Sequence, residues 1–154
     1  MARRNDKRER LVEAADQLFH QQGIGNTTLA NIATLADVPL GNVYYYFKSK
    51  DSIILAVIDR RKKSLNSLFA EWNNDVDVRS RLQSFVNYTT SLRDEAANFG
   101  DALGSLCQEL GKQGGTIATS ASTLMNEIIQ WCETQFKALG KSEEDSSKLA
   151  LNLV

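Results

Sequence analysis

A single proline, Pro39, interrupts 154 residues, and the nine glycines are scattered between long amphipathic runs. No sustained alternation of β-branched residues accompanies them. A chain that rarely breaks, and whose apolar residues recur at three and four positions, predicts an all-α fold. With 42% hydrophobic and 24% charged residues it is long enough to bury one core or two small ones.

The formal net charge of -1 conceals an uneven distribution. From Met1 to Lys63 there are eleven basic residues against seven acidic ones, which leaves seven basic against twelve acidic in the remainder. A polyanion is therefore expected to meet the N-terminal part and to be repelled by the C-terminal part. Glu13 and Asp16 interrupt the run after the basic N-terminus, which excludes a signal peptide, and no stretch has membrane-spanning length. Cys107 and Cys132 without a secretory signal point to a reduced, cytoplasmic setting. His20 is the lone histidine and stands far from both cysteines, so no metal-ligand spacing exists. Neither a phosphate-cradling glycine loop nor a nucleophile-and-base set is present; no cofactor and no enzyme activity are expected.

The stretch VPLGNVYYYFKSKD, Val38 to Asp51, is poor core material. Pro39 suits the first turn of a helix, where its missing N–H costs no intrahelical bond. Gly41 costs about 1 kcal/mol relative to alanine inside a helix, so it is either a tolerated surface glycine or a place where backbone approaches a duplex. Val43 and Phe47 share a face, which spreads Leu40, Asn42, Tyr44, Tyr45 and Tyr46 over the others. Phenols offer a hydroxyl to phosphate and a ring to sugar or a thymine methyl. Ser49 caps the next helix, placing Lys50 at a positive helix end suited to phosphate.

In register, Gly41, Asn42, Val43, Tyr44, Tyr45, Tyr46, Phe47, Lys48, Ser49 and Lys50 resemble the recognition helix and following turn of the tetracycline-repressor-like (TetR/AcrR) transcriptional regulators. Leu40 stands where that family more often has a polar or basic residue, which leaves apolar contact with a base or none. The resemblance covers Arg10 to about Trp72 strongly and the body in architecture only. It implies an N-terminal three-helix helix-turn-helix domain, residues 1–50, joined by a long helix to a helical ligand-binding and dimerisation bundle, residues 51–154.

Along the chain, Met1 to Arg10 is either an arm that touches phosphates or the minor groove, or a solvated tail. Leu11, Ala14, Ala15, Leu18 and Phe19 form one face of a first helix ending near Gly23. Asn26, Thr27 and Thr28 supply caps for a second, which carries Leu29, Ile32, Ala33 and Ala36; the hydroxyl of Thr27 or Thr28 caps the helix and is also placed to meet a phosphate. Asp37 and Val38 form the turn into the helix at Pro39. A bridging helix follows to Trp72, with Arg60, Arg61, Lys62 and Lys63 as either an attractive patch or a solvated face. A fifth helix runs from Val78 to near Asn98, a sixth over Leu103 to Leu110, a seventh from about Ile117 to Leu139, and an eighth begins at Ser142.

The family keeps an effector pocket in the body, and the resemblance implies one here. Phe85, Tyr88, Phe99, Leu103, Cys107, Met125, Ile128 and Trp131 are the candidate lining for a small apolar ligand, with core packing as the alternative for each. Around Cys107, FGDALGSLCQEL resembles a segment of a family subgroup that carries a glycine-cysteine pair, but Asp101 replaces the first cysteine; buried packing is the favoured role and thiol sensing the alternative. The pattern stops in mid-stripe at Val154, where the family usually continues into a further dimerisation helix, so a shortened C-terminus is expected. The reading is a ligand-responsive repressor that binds a palindromic double-stranded operator as a homodimer. The alternatives are an activator, or a helical ligand-binding or interaction module without operator specificity.

Overall fold

The structure is a computed structural model that describes the backbone of residues 2–154 and the side chains of residues 6–154. Met1 and the side chains of Arg3 and Arg4, part of the expected arm, lie outside the described residues. The described residues form nine helices and no strand. They are α1 (Ala2–Gln22), α2 (Leu29–Leu35), α3 (Leu40–Tyr46), α4 (Lys50–Asn73), α5 (Val78–Ser91), α6 (Arg93–Phe99), α7 (Ala102–Gln113), α8 (Gly115–Ala138) and α9 (Glu143–Leu153).

Local chemistry sets most of these boundaries. Thr28 accepts from the N–H of Asn31, whose side chain returns a bond to the Thr28 N–H, closing a capping box on α2. Ser49 and Ser52 do the same for α4. Asp77, Asp101 and Ser142 cap α5, α7 and α9. α1 ends at Gly23, with φ at 84°. The turn between α2 and α3 requires the same left-handed region, and Asp37 supplies it with φ at 52°, the one non-glycine among the described residues to do so.

Three expectations are corrected. Residues 6–10 belong to α1, so they are helix and not tail. Arg8 lies over the Phe47 ring at 5.2 Å, and Arg10 donates to the Asp37 carbonyl at 3.2 Å, which ties the start of α1 to the helix-turn-helix. The expected fifth helix is two, α5 and α6, broken at Leu92. There the hydroxyls of Thr89 and Thr90 bond back to the Val86 carbonyl and that of Ser91 to Tyr88, competing with the helical ladder. Pro39 is the N-cap of α3 and not its first turn: its ψ of 135° is extended, and α3 begins at Leu40.

Two cores meet along α4. The first holds Leu11, Phe19, Ile32, Val43, Phe47 and Ile53 from the head, yet Leu106, Leu110, Ala121 and Leu124 from α7 and α8 belong to it as well. The second gathers Phe69, Trp72, Phe85, Ile128, Trp131 and Cys132. In it the Phe69 and Trp131 rings stack at 5.0 Å and 3°, and the Trp131 indole N–H reaches Asn73 at 3.1 Å, so the buried indole keeps a hydrogen-bond partner. Leu103 packs against both cores.

Candidate nucleic-acid interface and internal cavity

α3 turns Val43 wholly inward, with Phe47 buried just beyond its end. That fixes Leu40, Gly41, Asn42, Tyr44 and Tyr45 on the outer face, where Tyr44 is 50% and Tyr45 57% exposed. The three tyrosines are thus not equivalent: Tyr46 is half-buried against the core and meets the Tyr45 ring edge-on at 5.0 Å. At Gly41 an added Cβ would meet no heavy atom within 4 Å, so nothing inside the protein demands glycine there. α3 itself carries no charged side chain, and Lys48 donates to the Tyr44 carbonyl at its C-terminal end.

Two residues expected at the interface face elsewhere. Thr27 is 1% exposed; its hydroxyl donates to the Gly23 carbonyl at 2.8 Å and accepts from Gln22, so it secures the loop before α2 and cannot reach a phosphate from there. Thr28 keeps the exposed capping role. Lys50 donates its ammonium to the Ile24 carbonyl and is partly buried, so the start of α4 presents no free cation at that position. Adjacent to it, the Glu109 carboxylate of α7 accepts from the Ile24 N–H at 2.8 Å and the Gly25 N–H at 3.4 Å. The α1–α2 loop is therefore held between α4 and α7. Glu109 was not singled out in the sequence, because its partners lie 84 and 85 residues away.

Between α1, α4, α5, α6, α7, α8 and the end of α9 lies a half-open cavity of about 930 Å³. Five of the expected lining residues are on its wall: Phe85, Tyr88, Leu103, Met125 and Ile128. Three are not. Phe99 is exposed beside the His20 ring at 5.8 Å, Cys107 turns its thiol to the Ala121 carbonyl at 3.3 Å, and Trp131 is spent in the second core. Burial pushes the Cys107 thiol up despite the Arg61 charge, and pushes Cys132 up to about 11, the reverse of what a reactive thiol needs.

The cavity is not the apolar chamber expected. One end is apolar and aromatic, with Trp72, Phe85 and Tyr88; the other is polar, with Glu13, Asp16, Gln17 and His20 from α1, Arg60 and Arg61 from α4, and Glu95 from α6. The basic run on α4 is drawn into ion pairs, with Arg61 and Lys62 partly buried and Arg60 and Lys63 still exposed to solvent. Arg61 pairs with Asp16 at 2.5 Å and donates to the Ala102 carbonyl, Arg60 reaches Glu13 at 3.5 Å, Lys62 pairs with Glu127 at 2.6 Å, and Lys63 with Asp59 at 2.7 Å. His20 bridges the head to the body: Nε2 lies 2.8 Å from the Gly100 carbonyl and Nδ1 3.2 Å from Glu95. No local pattern marks these residues, since Asp16 and His20 read as the polar side of a scaffold helix. Among the described residues no cluster of His, Cys, Asp and Glu suits a metal ion, and no helix is long and apolar enough to cross a membrane.

A three-helix head whose outward helix follows a tight turn, set on a helical body with a half-open cavity, defines a helix-turn-helix protein. Residues 11–57 match the family described as bacterial regulatory proteins, tetR family. That match covers the head and the first turns of α4, 47 of the 154 residues. The chain is similar to the HTH-type transcriptional regulator TtgR of Pseudomonas putida, 39% identical over 54 residues, which cover 35% of this chain and 26% of that protein. The HTH-type transcriptional repressor DhaR of Mycobacterium sp. is 25% identical over 144 residues, covering 94% of this chain and 71% of that one. The fold matches the crystal structure of a TetR transcriptional regulator from Legionella pneumophila with a TM-score of 0.85 at 21% identity, over 94% of this chain and 78% of that one. The curated relatives matched at 39–41% identity are covered over only 26–29% of their own length.

Proposed function

We propose that the protein is a ligand-responsive transcriptional repressor that binds a near-palindromic operator in double-stranded DNA as a homodimer, in the cytoplasm, and releases it when a small molecule occupies the cavity. The observation that carries this reading is the face of α3. Leu40, Gly41, Asn42, Tyr44 and Tyr45 stand exposed together on a helix whose other side is anchored by Val43. In this reading Tyr44 and Tyr45 give hydroxyls to phosphates, Asn42 reads an adenine edge, and Leu40 with Pro39 meets a thymine methyl. Gly41 lets the backbone approach. Thr28 braces α2 on the flanking phosphate, while Tyr46, Thr27 and Lys50 position the reading helix from inside. The repressor assignment is supported by the name of the relative DhaR.

Two heads of a dimer read half-sites about 34–36 Å apart or a multiple of that spacing. Because α1 lines the cavity with Glu13, Asp16, Gln17 and His20 and also supplies the head core with Leu11 and Phe19, a ligand that shifts α1 respaces the heads. Phe85, Tyr88, Leu103, Met125 and Ile128 are the proposed apolar contacts for that ligand. A coupling of about 1–3 kcal/mol changes operator affinity by about 5- to 150-fold.

Fluorescence anisotropy with DNA from the protein's own promoter region and with scrambled DNA, at two salt concentrations, tests the reading. A preference of about a thousandfold, abolished by Tyr44→Ala, is the expected result. Equal, salt-sensitive binding to both duplexes would refute operator recognition.

A further inference from the structure

We propose that α3 selects its operator by the 5-methyl group of a pyrimidine in the major groove, with Leu40 as the residue that reads it, so that the protein tells thymine from uracil and 5-methylcytosine from cytosine. This rests on the reading of α3 as the helix that enters the operator, and adds the chemical group that decides which sequence is bound.

The helix excludes the commoner means of discrimination. α3 is LGNVYYY, and none of its side chains is charged. Guanine is most often read by an arginine or lysine on O6 and N7, and cytosine by a carboxylate that accepts from N4. Neither kind of group projects from this helix. The neighbouring cations are engaged elsewhere: Lys48, past its end, donates to the Tyr44 carbonyl at 3.1 Å, Lys50 donates to the Ile24 carbonyl, and Arg8 lies over the Phe47 ring at 5.2 Å.

What α3 does present is apolar on one flank. Leu40 is 43% exposed on a helix that buries Val43 completely. A leucine side chain has no hydrogen-bonding atom, so the feature of the major groove that rewards it is a methyl on C5. Tyr44 stands four residues on, beside Leu40 on the same flank, and its exposed ring widens the apolar strip. Asn42, two residues from Leu40, falls on the opposite flank of the outer face, so its amide and the strip meet different base pairs. Gly41 lies between them. A Cβ there would meet nothing within 4 Å, and bare backbone lets both flanks settle against the groove floor.

Selection from a random duplex library with the full chain, followed by anisotropy on the enriched half-sites, tests the proposal. Exchanging a thymine for deoxyuridine removes one methyl and nothing else, and burial of that group is worth about fourfold in affinity. The expected result is a thymine position in each half-site where uracil weakens binding about fourfold, and about fifteenfold when both half-sites are exchanged. At that position C·G binds about 5- to 150-fold more weakly than T·A, and 5-methylcytosine regains about fourfold over cytosine. Leu40→Ala abolishes the preference for thymine over uracil; Leu40 is exposed, and an unchanged far-UV spectrum certifies the variant's fold. Enriched sites that bind equally well with uracil throughout, or a preference that survives Leu40→Ala, overturn the proposal and leave operator recognition standing. No enrichment over the starting library overturns both.

Discussion

Gly23 and Glu109 offer a quantitative probe of how the head is fastened to the body. Gly23 sits at φ 84°, and a Cβ there would lie 3.1 Å from Glu109 Oε1 and 3.3 Å from Oε2. Glu109→Ala removes a charged acceptor from the partly buried Ile24 N–H at 2.8 Å, a loss of about 1.5–2 kcal/mol, at the lower end for bonds to charged groups. Gly23→Ala has two separable costs. The left-handed backbone costs an L-residue about 1–2 kcal/mol, offset by about 0.4–1 kcal/mol from the stiffer unfolded chain. The second cost arises because the carboxylate must retreat by a few tenths of an ångström, which lengthens the Ile24 bond and forfeits about 0.5–1 kcal/mol of it. In the Glu109→Ala background only the backbone cost survives. The double variant is therefore less destabilised than the sum of the singles by about 0.5–1 kcal/mol. Urea unfolding followed by tryptophan fluorescence and far-UV circular dichroism measures all four corners. Additivity within about 0.3 kcal/mol would show that the carboxylate does not hold the loop.

Two further outcomes follow from the backbone and the thiols. Asp37 at φ 52° tolerates glycine, so Asp37→Gly is neutral or stabilising by about 0.5 kcal/mol, whereas Asp37→Val costs about 1–2 kcal/mol, read as shifts of the urea midpoint; equal midpoints for both would deny the left-handed turn. With Cys132 pushed up to about 11 and Cys107 raised above its ordinary value, both thiols are protonated at neutral pH, so alkylation by N-ethylmaleimide is slow there and accelerates by about tenfold per pH unit as pH rises toward those values. Cys107, only half-buried, reacts before Cys132; rapid labelling at pH 7 would contradict the burial argument and revive thiol sensing.

What the sequence made legible is what a few neighbouring residues decide. The caps at Thr28, Ser49 and Ser142, the glycine end of α1, and the inward pair Val43 and Phe47 each depend on partners within one or two turns. Thr27 and Thr28 looked interchangeable because both are hydroxyls ahead of a helix, and only the fold of the loop sends one inward to Gly23. Lys50 looked like a phosphate ligand for the same reason, although the acceptor that claims it, Ile24, is 26 residues earlier. The α4 basic run was undecidable locally: the acids that neutralise Arg60 and Arg61 come from α1, and the one for Lys62 from α8. The polar half of the cavity was missed on the same grounds, since it forms only where α1, α4 and α6 converge.

The placement of α1 explains why head and body cannot act independently. Its inner face, Leu11, Ala15 and Phe19, closes the head core, and the same core continues into Leu106 and Leu110 of α7. Its other side carries Asp16 and His20 into the cavity, where Arg61, Ala102, Glu95 and Gly100 hold them. Tilting α1 therefore disturbs either the packing of a shared core or a set of charged hydrogen bonds, and close-packed interiors yield to such demands by switching between arrangements and not by bending gradually. A separate head on a flexible linker would bind DNA regardless of what filled the body. Here the packing continues across residue 50, so under the proposed function an event in the cavity is expected to reach α3 through α1, the α4 residues Ile53 and Val57 of the shared core, the Gly23–Gly25 loop and Lys50.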